Sequence, residues 1–274
     1  MPIDLNSEPL LDALTAAAAR AAQAILGFAA APVVRLKMDG SPVTAADEAA
    51  EALILEDLAR ILPGVPVISE EAVSRGHIPM LGDTFVLVDP LDGTREFIAG
   101  RPEYTVNIAV VVNGLPMVGI ITTPSDGVTW RGVVGRGADR LIVPPGEAFD
   151  NRVRALPIHA RRAPAEGLVA ALSRSYPDPA TNAFVDRLAG ATRRTCGSSV
   201  KFCWLAEGTA DVYPRLAPPN EWDIAAGHAI LAAAGGAMIR TDGEAFRYGA
   251  AERKFRAPAF IAWGDPEAAA RYRV

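Results

Sequence analysis

Cysteine and histidine are scarce in this chain. Two cysteines, Cys196 and Cys203, among 274 residues cannot build the disulfide framework of a small secreted domain, so reduced, cytosolic (cytoplasmic) residence is the expectation. They lack C-x-x-C spacing and an obvious His partner, which argues against a thiol nucleophile, and with His77, His159 and His228 scattered no Cys and His set is available for zinc. Long apolar runs are missing too. No uninterrupted stretch approaches the roughly 18 residues of a membrane span, and the N-terminus carries Asp4 and Glu8 where a signal peptide would carry positive charge. Neither acids nor bases form a long run: 27 Lys plus Arg oppose 32 Asp plus Glu, for a net charge of −5. That balance argues against binding a nucleic acid polymer and leaves room for a local basic pocket that takes a small anion. The phosphate-binding glycine loops GxxxxGK[ST] and GxGxxG are absent as well.

What is present divides near residue 150. Leu and Ile at helical spacing in an Ala-rich stretch predict a first helix over about residues 8–29. After a loop holding Lys37, Asp39, Gly40 and Pro42, Thr44 can cap a helix over AADEAAEALILEDLARIL, with Asp47 where a carboxylate meets free N–H groups. PVIS predicts a strand ending at Glu70-Glu71, and TFVLV (84–88) a buried strand that stops at Asp89. The Asn113-Gly114 pair between two β-branched runs signals a hairpin, and TWRGVVGRGADRLI predicts another. The Pro- and Ala-rich ALPIHARRAPAEG suits a boundary between an α+β domain, 1–150, and an α/β domain, 151–274. In the second, GLVAALSRS and ADVYP read as strands, and PATNAFVDRLAG, SSVKFCWLAEG and WDIAAGHAILAAAGG as helices, the last closed by Gly235-Gly236. The loop EAVSRGHIPMLG (71–82) has no pattern of its own.

The stretch DPLDGTREF (89–97) carries the chemistry. Pro90 keeps the chain from continuing as a normal ladder, a turn draws the carboxylates of Asp89 and Asp92 together, and Gly93 permits a tight exit with the Leu91 carbonyl facing inward. Like charges this close repel unless a cation or a proton intervenes, and carboxylates plus a carbonyl suit Mg²⁺ rather than zinc. Taken alone, DPLDG is also an ordinary polar turn. Other acids stand at comparable places: Glu70 and Glu71 after a strand, Asp47 and Asp223 at helix starts. A pocket gathering them fits metal-assisted phosphoester hydrolysis, where divalent ions lower the pKa of a water and stabilise the leaving oxygen. Thr94 beside Asp47 is the pair suited to orienting that water. Lys201, with Ser198 a turn before it, and Arg215 past the strand DVYP offer positive charge for a phosphate. His228 is expected to be a packing or surface residue, and Trp222 and Tyr213 to be core or pocket-wall aromatics.

DGSPVTAAD (39–47), VISEE (67–71), DPLDGTREF and WDIAAGHAILAAAGG (222–236) resemble the signatures of the lithium-sensitive, Mg²⁺-dependent phosphatases, the superfamily of inositol monophosphatase and fructose-1,6-bisphosphatase. YTVNIA (104–109), LSRS (172–175) and GSSVKFCWLAEGTADVYPR (197–215) look more like its bacterial 3'(2'),5'-bisphosphate nucleotidase branch. The resemblance implies a layered α-β-α-β-α sandwich and removal of the 3'-phosphate of adenosine 3',5'-bisphosphate to give AMP, a by-product clearance that serves sulfate assimilation. It implies two or three Mg²⁺ ions held by Glu70, Asp89, Asp92, Asp223 and the Leu91 carbonyl, with inhibition by Li⁺ and Ca²⁺. Asp47, Thr94 and Glu70 would position or activate the water. Gly93, Thr94 and Asp223 would meet the substrate, with Ser198, Lys201 and Arg215 on its uncleaved phosphate. The implied assembly is a monomer or a homodimer. An inositol-monophosphatase-like enzyme of broad specificity and a non-catalytic binding protein that keeps the fold are the alternatives.

Overall fold

The first helix, α1 (Glu8–Leu26), begins where a hydroxyl can cap it: Ser7 Oγ accepts from the Leu10 N–H. It buries Leu11, Leu14, Ala18, Ala21 and Ile25 along one face and stops before the Gly27-Phe28-Ala29 end that the spacing suggested. The structure is a computed structural model describing residues 3–37 and 39–272. The segment expected to be only a loop contains an antiparallel pair, β1 (Val34–Leu36) with β2 (Pro42–Thr44). Thr44 then starts α2 (Ala45–Ile61) with a capping box, in which Asp47 accepts at 2.7 Å from both the N–H and the hydroxyl of Thr44. After β3 (Val67–Ser69), the patternless loop opens as a short helix, α3 (Glu70–Ser74).

The next strands are β4 (Thr84–Asp92), β5 (Thr105–Val112), β6 (Leu115–Thr122), β7 (Val128–Val133), β8 (Gly137–Ile142) and β9 (Leu156–Ile158), with α4 (Thr94–Ile98) between the first two. They form a seven-stranded sheet in the order β3-β4-β5-β6-β7-β8-β9, in which only the β3–β4 pair is parallel. Positive φ at Asn113 (50°) and Gly114 (73°) makes the tight β5–β6 turn that this dipeptide signals. Both faces of the sheet are buried. Val86, Val88, Val106, Ile108 and Val110 pack toward α1 and α2, while the alternate Phe85, Leu87, Ala109 and Val111 face the middle of the molecule. β4 does not stop at Asp89. It runs on to Asp92 through a bulge, because Asp89 pairs with Asn107 and Asp92 with Thr105, three steps along one strand against two along the other. The extra residue sends the Leu91 side chain into the α1–α2 core.

The second sheet, ordered β11-β10-β12-β14-β13, comprises β10 (Val169–Ser173), β11 (Thr192–Cys196), β12 (Val212–Arg215), β13 (Ala237–Arg240) and β14 (Phe260–Trp263). Its polar edge strand β11 was not foreseen. Four helices accompany it: α5 (Pro179–Asp186), α6 (Val200–Ala206), α7 (Glu221–Ala233) and α8 (Pro266–Arg271). α6 and α7 lie between the sheets, whereas α5 and α8 cover the outer face of the second. The layers therefore run α-β-α-β-α, the mixed α/β sandwich expected. α7 sits close on the first sheet because two strand positions have no side chain. A Cβ on Gly119 would lie 2.3 Å from the Ala226 carbonyl oxygen, and one on Gly132 would lie 2.6 Å from Ile230 Cα. That close approach fixes where the first turn of α7, and Asp223 within it, meets the end of β4.

Candidate active site

Because β3 and β4 are parallel neighbours, with Ser69 in register with Val88, the residues that follow them emerge side by side. Glu70 leaves the end of β3 and Asp89 shares the inward face of Phe85 and Leu87. Asp223, the third residue of α7, is anchored by the Asn220 N–H at 2.8 Å. Carboxylate oxygens of Glu70, Asp89 and Asp223 lie within 4.8 Å of one another. This group opens into a cleft of about 640 Å³ whose walls include Asp92, Gly93 and Thr94, and also Ser198, Lys201 and Arg215.

The acids are crowded and poorly hydrated. Burial pushes Asp89 well above the usual carboxylate range, with Glu70, Asp92 and Asp223 adding to the effect. Burial, Asp92 and Glu70 push Asp223 up to about 8. Asp92 rises to about 6 by burial, opposed by the charge of Lys201. Lys37 bonds Glu70 at 2.5 Å and Glu71 at 2.6 Å, and burial still lifts Glu71 to about 7. Oxygen donors converging with this much unrelieved repulsion fit a hard divalent cation, which would take the place of the protons these carboxyls otherwise keep.

Asp47 is 2% exposed and stands behind Thr94 rather than in the cleft wall. The Thr94 hydroxyl reaches Asp47 Oδ1 at 3.0 Å and the Leu91 carbonyl at 3.2 Å, so Asp47 meets the cleft through that hydroxyl. Burial raises the Asp47 carboxyl against the hydrogen bonds from Thr44. Gly93 makes the exit possible with φ of 93°, in a place where a Cβ would come 3.0 Å from the Glu103 carbonyl oxygen. On the other wall, Ser198 Oγ and Arg215 Nε are buried and have no hydrogen-bond partner among the described residues. Lys201 is buried, which lowers its pKa.

The chain matches the model described as "Inositol monophosphatase family" over residues 6–272. It belongs to the inositol monophosphatase family. Over 212 residues it is 38% identical to the 3'(2'),5'-bisphosphate nucleotidase CysQ of Escherichia coli strain K12, covering 77% of this chain and 81% of that one. The solved structure of CysQ from Bacteroides thetaiotaomicron, a bacterial member of the same family, aligns at a TM-score of 0.78 and 34% identity, over 95% of this chain and 98% of that one. The inositol monophosphatase of Anabaena aligns at 0.71 and 26% identity, over 94% and 91%. This kinship supports a hydrolase with phosphatase chemistry of the inositol monophosphatase and CysQ kind.

The sequence reading passed over several side chains at this family site. Lys37, expected only in a loop, bridges Glu70 and Glu71, and nothing in the flanking VVRL, itself broken by Arg35, marks it in the sequence. Tyr176, 49% exposed on the cleft wall, has the guanidinium carbons of Arg95 at 4.9 Å and Arg215 at 5.4 Å from its ring centre. Nothing in its spacing marks it. His228 is a packing residue as expected: burial lowers it to about 4, and its Nδ1 lies 3.0 Å from the Tyr248 hydroxyl. Trp222 is buried and Tyr213 lines the cleft. Among the described residues no helix is long and apolar enough to cross a membrane.

Proposed function

We propose that the protein hydrolyses the 3'-phosphate of adenosine 3',5'-bisphosphate, giving AMP and phosphate, with Mg²⁺ held by Glu70, Asp89, Asp92, Asp223 and the Leu91 carbonyl. One observation carries this reading: a single cleft has crowded acids on one side and, on the other, an Arg215 Nε and a Ser198 hydroxyl without partners among the described residues. A substrate with two phosphates needs two such places, and the acids alone repel the second. The bound ions would supply a lower pKa for the attacking water and positive charge for the phosphoryl and leaving oxygens. Thr94, tethered to Asp47, orients that water, and Glu70 faces it from the other side. Burial raises the Asp47 carboxyl above the ordinary carboxylate range, which favours its accepting a proton through the Thr94 hydroxyl. Water gives up a proton and its oxygen bonds to phosphorus as the bond to the 3'-oxygen breaks, and that oxygen takes up a proton to leave as the hydroxyl of AMP. Gly93, lacking a side chain, lets the phosphate approach the backbone beside Thr94 and Asp223. Ser198, Lys201 and Arg215 serve the uncleaved phosphate.

The names of the Escherichia coli and Bacteroides relatives support the nucleotide reading, and the Anabaena relative supports a broader inositol phosphatase. Phosphate release from adenosine 3',5'-bisphosphate, inositol 1-phosphate and fructose 1,6-bisphosphate, measured with Mg²⁺, separates them. The expected result is a kcat/KM at least about tenfold higher for the bisphosphate nucleotide, a difference of ~1.4 kcal/mol. A preference for inositol 1-phosphate would overturn the nucleotide assignment, and no Mg²⁺-dependent release from any of the three would leave a binding protein.

A further inference from the structure

Lys254 and Phe255 stand one after the other in the left-handed region, with φ of 50° and 58°, where residues carrying a Cβ seldom go. Two such residues in succession persist only where their surroundings over-determine them. Here they do. The Phe255 side chain is fully buried and lies against Trp222, with ring centres 6.1 Å apart. Its N–H donates to the Ala250 carbonyl at 2.9 Å, and its carbonyl accepts from the Glu221 N–H at 2.8 Å. The Ala257 N–H donates to the Pro219 carbonyl at 2.9 Å, so Asn220 and Arg256 face each other in an isolated antiparallel bridge. Glu221 closes the other side, its buried carboxylate accepting from the Gly249 and Ala250 N–H groups at 2.6 and 3.0 Å. The strained turn is thereby fastened to the first residues of α7.

What the turn presents is Arg256. It is exposed and lines the cleft with Asn220 and Asp223, and among the described residues its guanidinium has no ion pair or hydrogen bond. Asn220 is the residue whose N–H anchors Asp223 at 2.8 Å, so the arginine stands at the acid end of the cleft. We propose that Arg256 is a substrate-binding residue for the phosphoryl group that is cleaved, and for the orthophosphate it becomes. The proposal rests on the reading that this group sits among the acids and their cations. Carboxylates repel a phosphate, and a guanidinium offers a planar fork of N–H donors that matches two phosphate oxygens without losing its charge. Because Arg256 is exposed where the acids are buried, it also raises the concentration of an incoming anion at the mouth. An exposed arginine without a partner adds little to the fold, so a backbone that accepts two left-handed residues to hold it in place is explained by the ligand it meets.

Calorimetric titration of orthophosphate into the Mg²⁺-loaded protein tests this without turnover, in wild type, Arg256→Met and Arg256→Lys. Wild type should bind, and Arg256→Met should bind at least about fivefold more weakly. Arg256→Lys should fall between the two, since lysine keeps the charge and loses the fork. Equal affinities in wild type and Arg256→Met, or no orthophosphate binding by wild type, overturn the proposal. Kinetics then say which phosphate is read. Arg256→Met should lower kcat/KM by a similar factor, about fivefold or more, for adenosine 3'-monophosphate and adenosine 3',5'-bisphosphate, because the cleaved group is common to both. A loss confined to the bisphosphate would place Arg256 on the uncleaved phosphate and overturn the proposal. The thermal midpoint of Arg256→Met should stay within about 2 °C of wild type, and a larger drop would make the arginine a structural residue instead. The function itself fails differently: no Mg²⁺-dependent release from either nucleotide by wild type would reject the nucleotidase reading, while the orthophosphate titration still decides on Arg256.

Discussion

Where β3, β4 and α7 meet, three carboxylates crowd within 4.8 Å, and burial with mutual repulsion holds Asp89 and Asp223 above their ordinary pKa range. Across the same cleft, where the β11–α6 loop meets β12, Lys201 Nζ lies against carbonyls of its own loop, and Ser198 Oγ and Arg215 Nε have no partner among the described residues. One wall holds more negative charge than the protein balances. The other carries the cationic side chains of Lys201 and Arg215. Such unsatisfied groups destabilise the empty fold, and both deficits are relieved by a single pair of ligands, a divalent cation and an anion. The two walls should respond oppositely when their residues are neutralised: removing an acid relieves strain on the fold, and removing the buried lysine creates it.

Asp223→Asn should have the largest effect and tests that asymmetry directly. Turnover should fall by about a hundredfold or more, the scale of losing an electrostatic group aimed at the reacting centre. In chelator the same variant should melt at least about 2 °C higher than wild type, roughly what 1 kcal/mol yields in a chain of this size. Asparagine still accepts from the Asn220 N–H, so the helix start is kept. A variant both slow and less stable would break the comparison, since Asp223 would then be a structural acid. Thr94→Val comes next. It removes the hydroxyl joining Asp47 to the cleft and should lower turnover by about 10²-fold, with Thr94→Ser retaining most of it. If valine and serine behave alike, the hydroxyl has no part in the reaction.

The smallest effect is a slope in stability with pH. Asp92 and Asp223, at about 6 and about 8, sit above their unfolded values, so in that range the folded chain binds more protons than the unfolded one. Stability of the metal-free protein must then fall as pH rises from about 4 to about 8. Thermal midpoints in chelator should show that decline, and saturating Mg²⁺ should flatten it. A metal-free stability that rises across the window would mean that the acids are paired, not crowded.

Much of the fold was legible because its signals are local. Asn113-Gly114 specified a hairpin, Thr44 a helix start with Asp47 in its first turn, and the apolar runs of β4, β5 and β6 strands of a sheet. The edge strand β11 was missed because TRRTC is polar and mostly exposed, with no period to read. β1 and β2 were missed because an isolated pair of three-residue strands leaves no pattern. The acids drew attention by standing where strands and helices end. That Glu70, Asp89 and Asp223 share a few ångströms depends on the parallel β3–β4 pairing and on Gly119 and Gly132 admitting α7, contacts far apart in the chain. The bulge before Asp92 and the left-handed turn at Ser198 carry no marker residue of their own, so the extension of β4 and the shape of that turn became visible only in the fold.

The carboxyls around Asp223 hold protons where a divalent cation would bind. Calorimetric titration of Mg²⁺ into chelator-stripped protein at pH 7, repeated in buffers of different ionisation enthalpy, counts the protons released as each ion binds. A release of about one proton is expected, abolished in Asp223→Asn, because deprotonation is the condition for ligation. Binding with no proton released, or no binding at all, would contradict it.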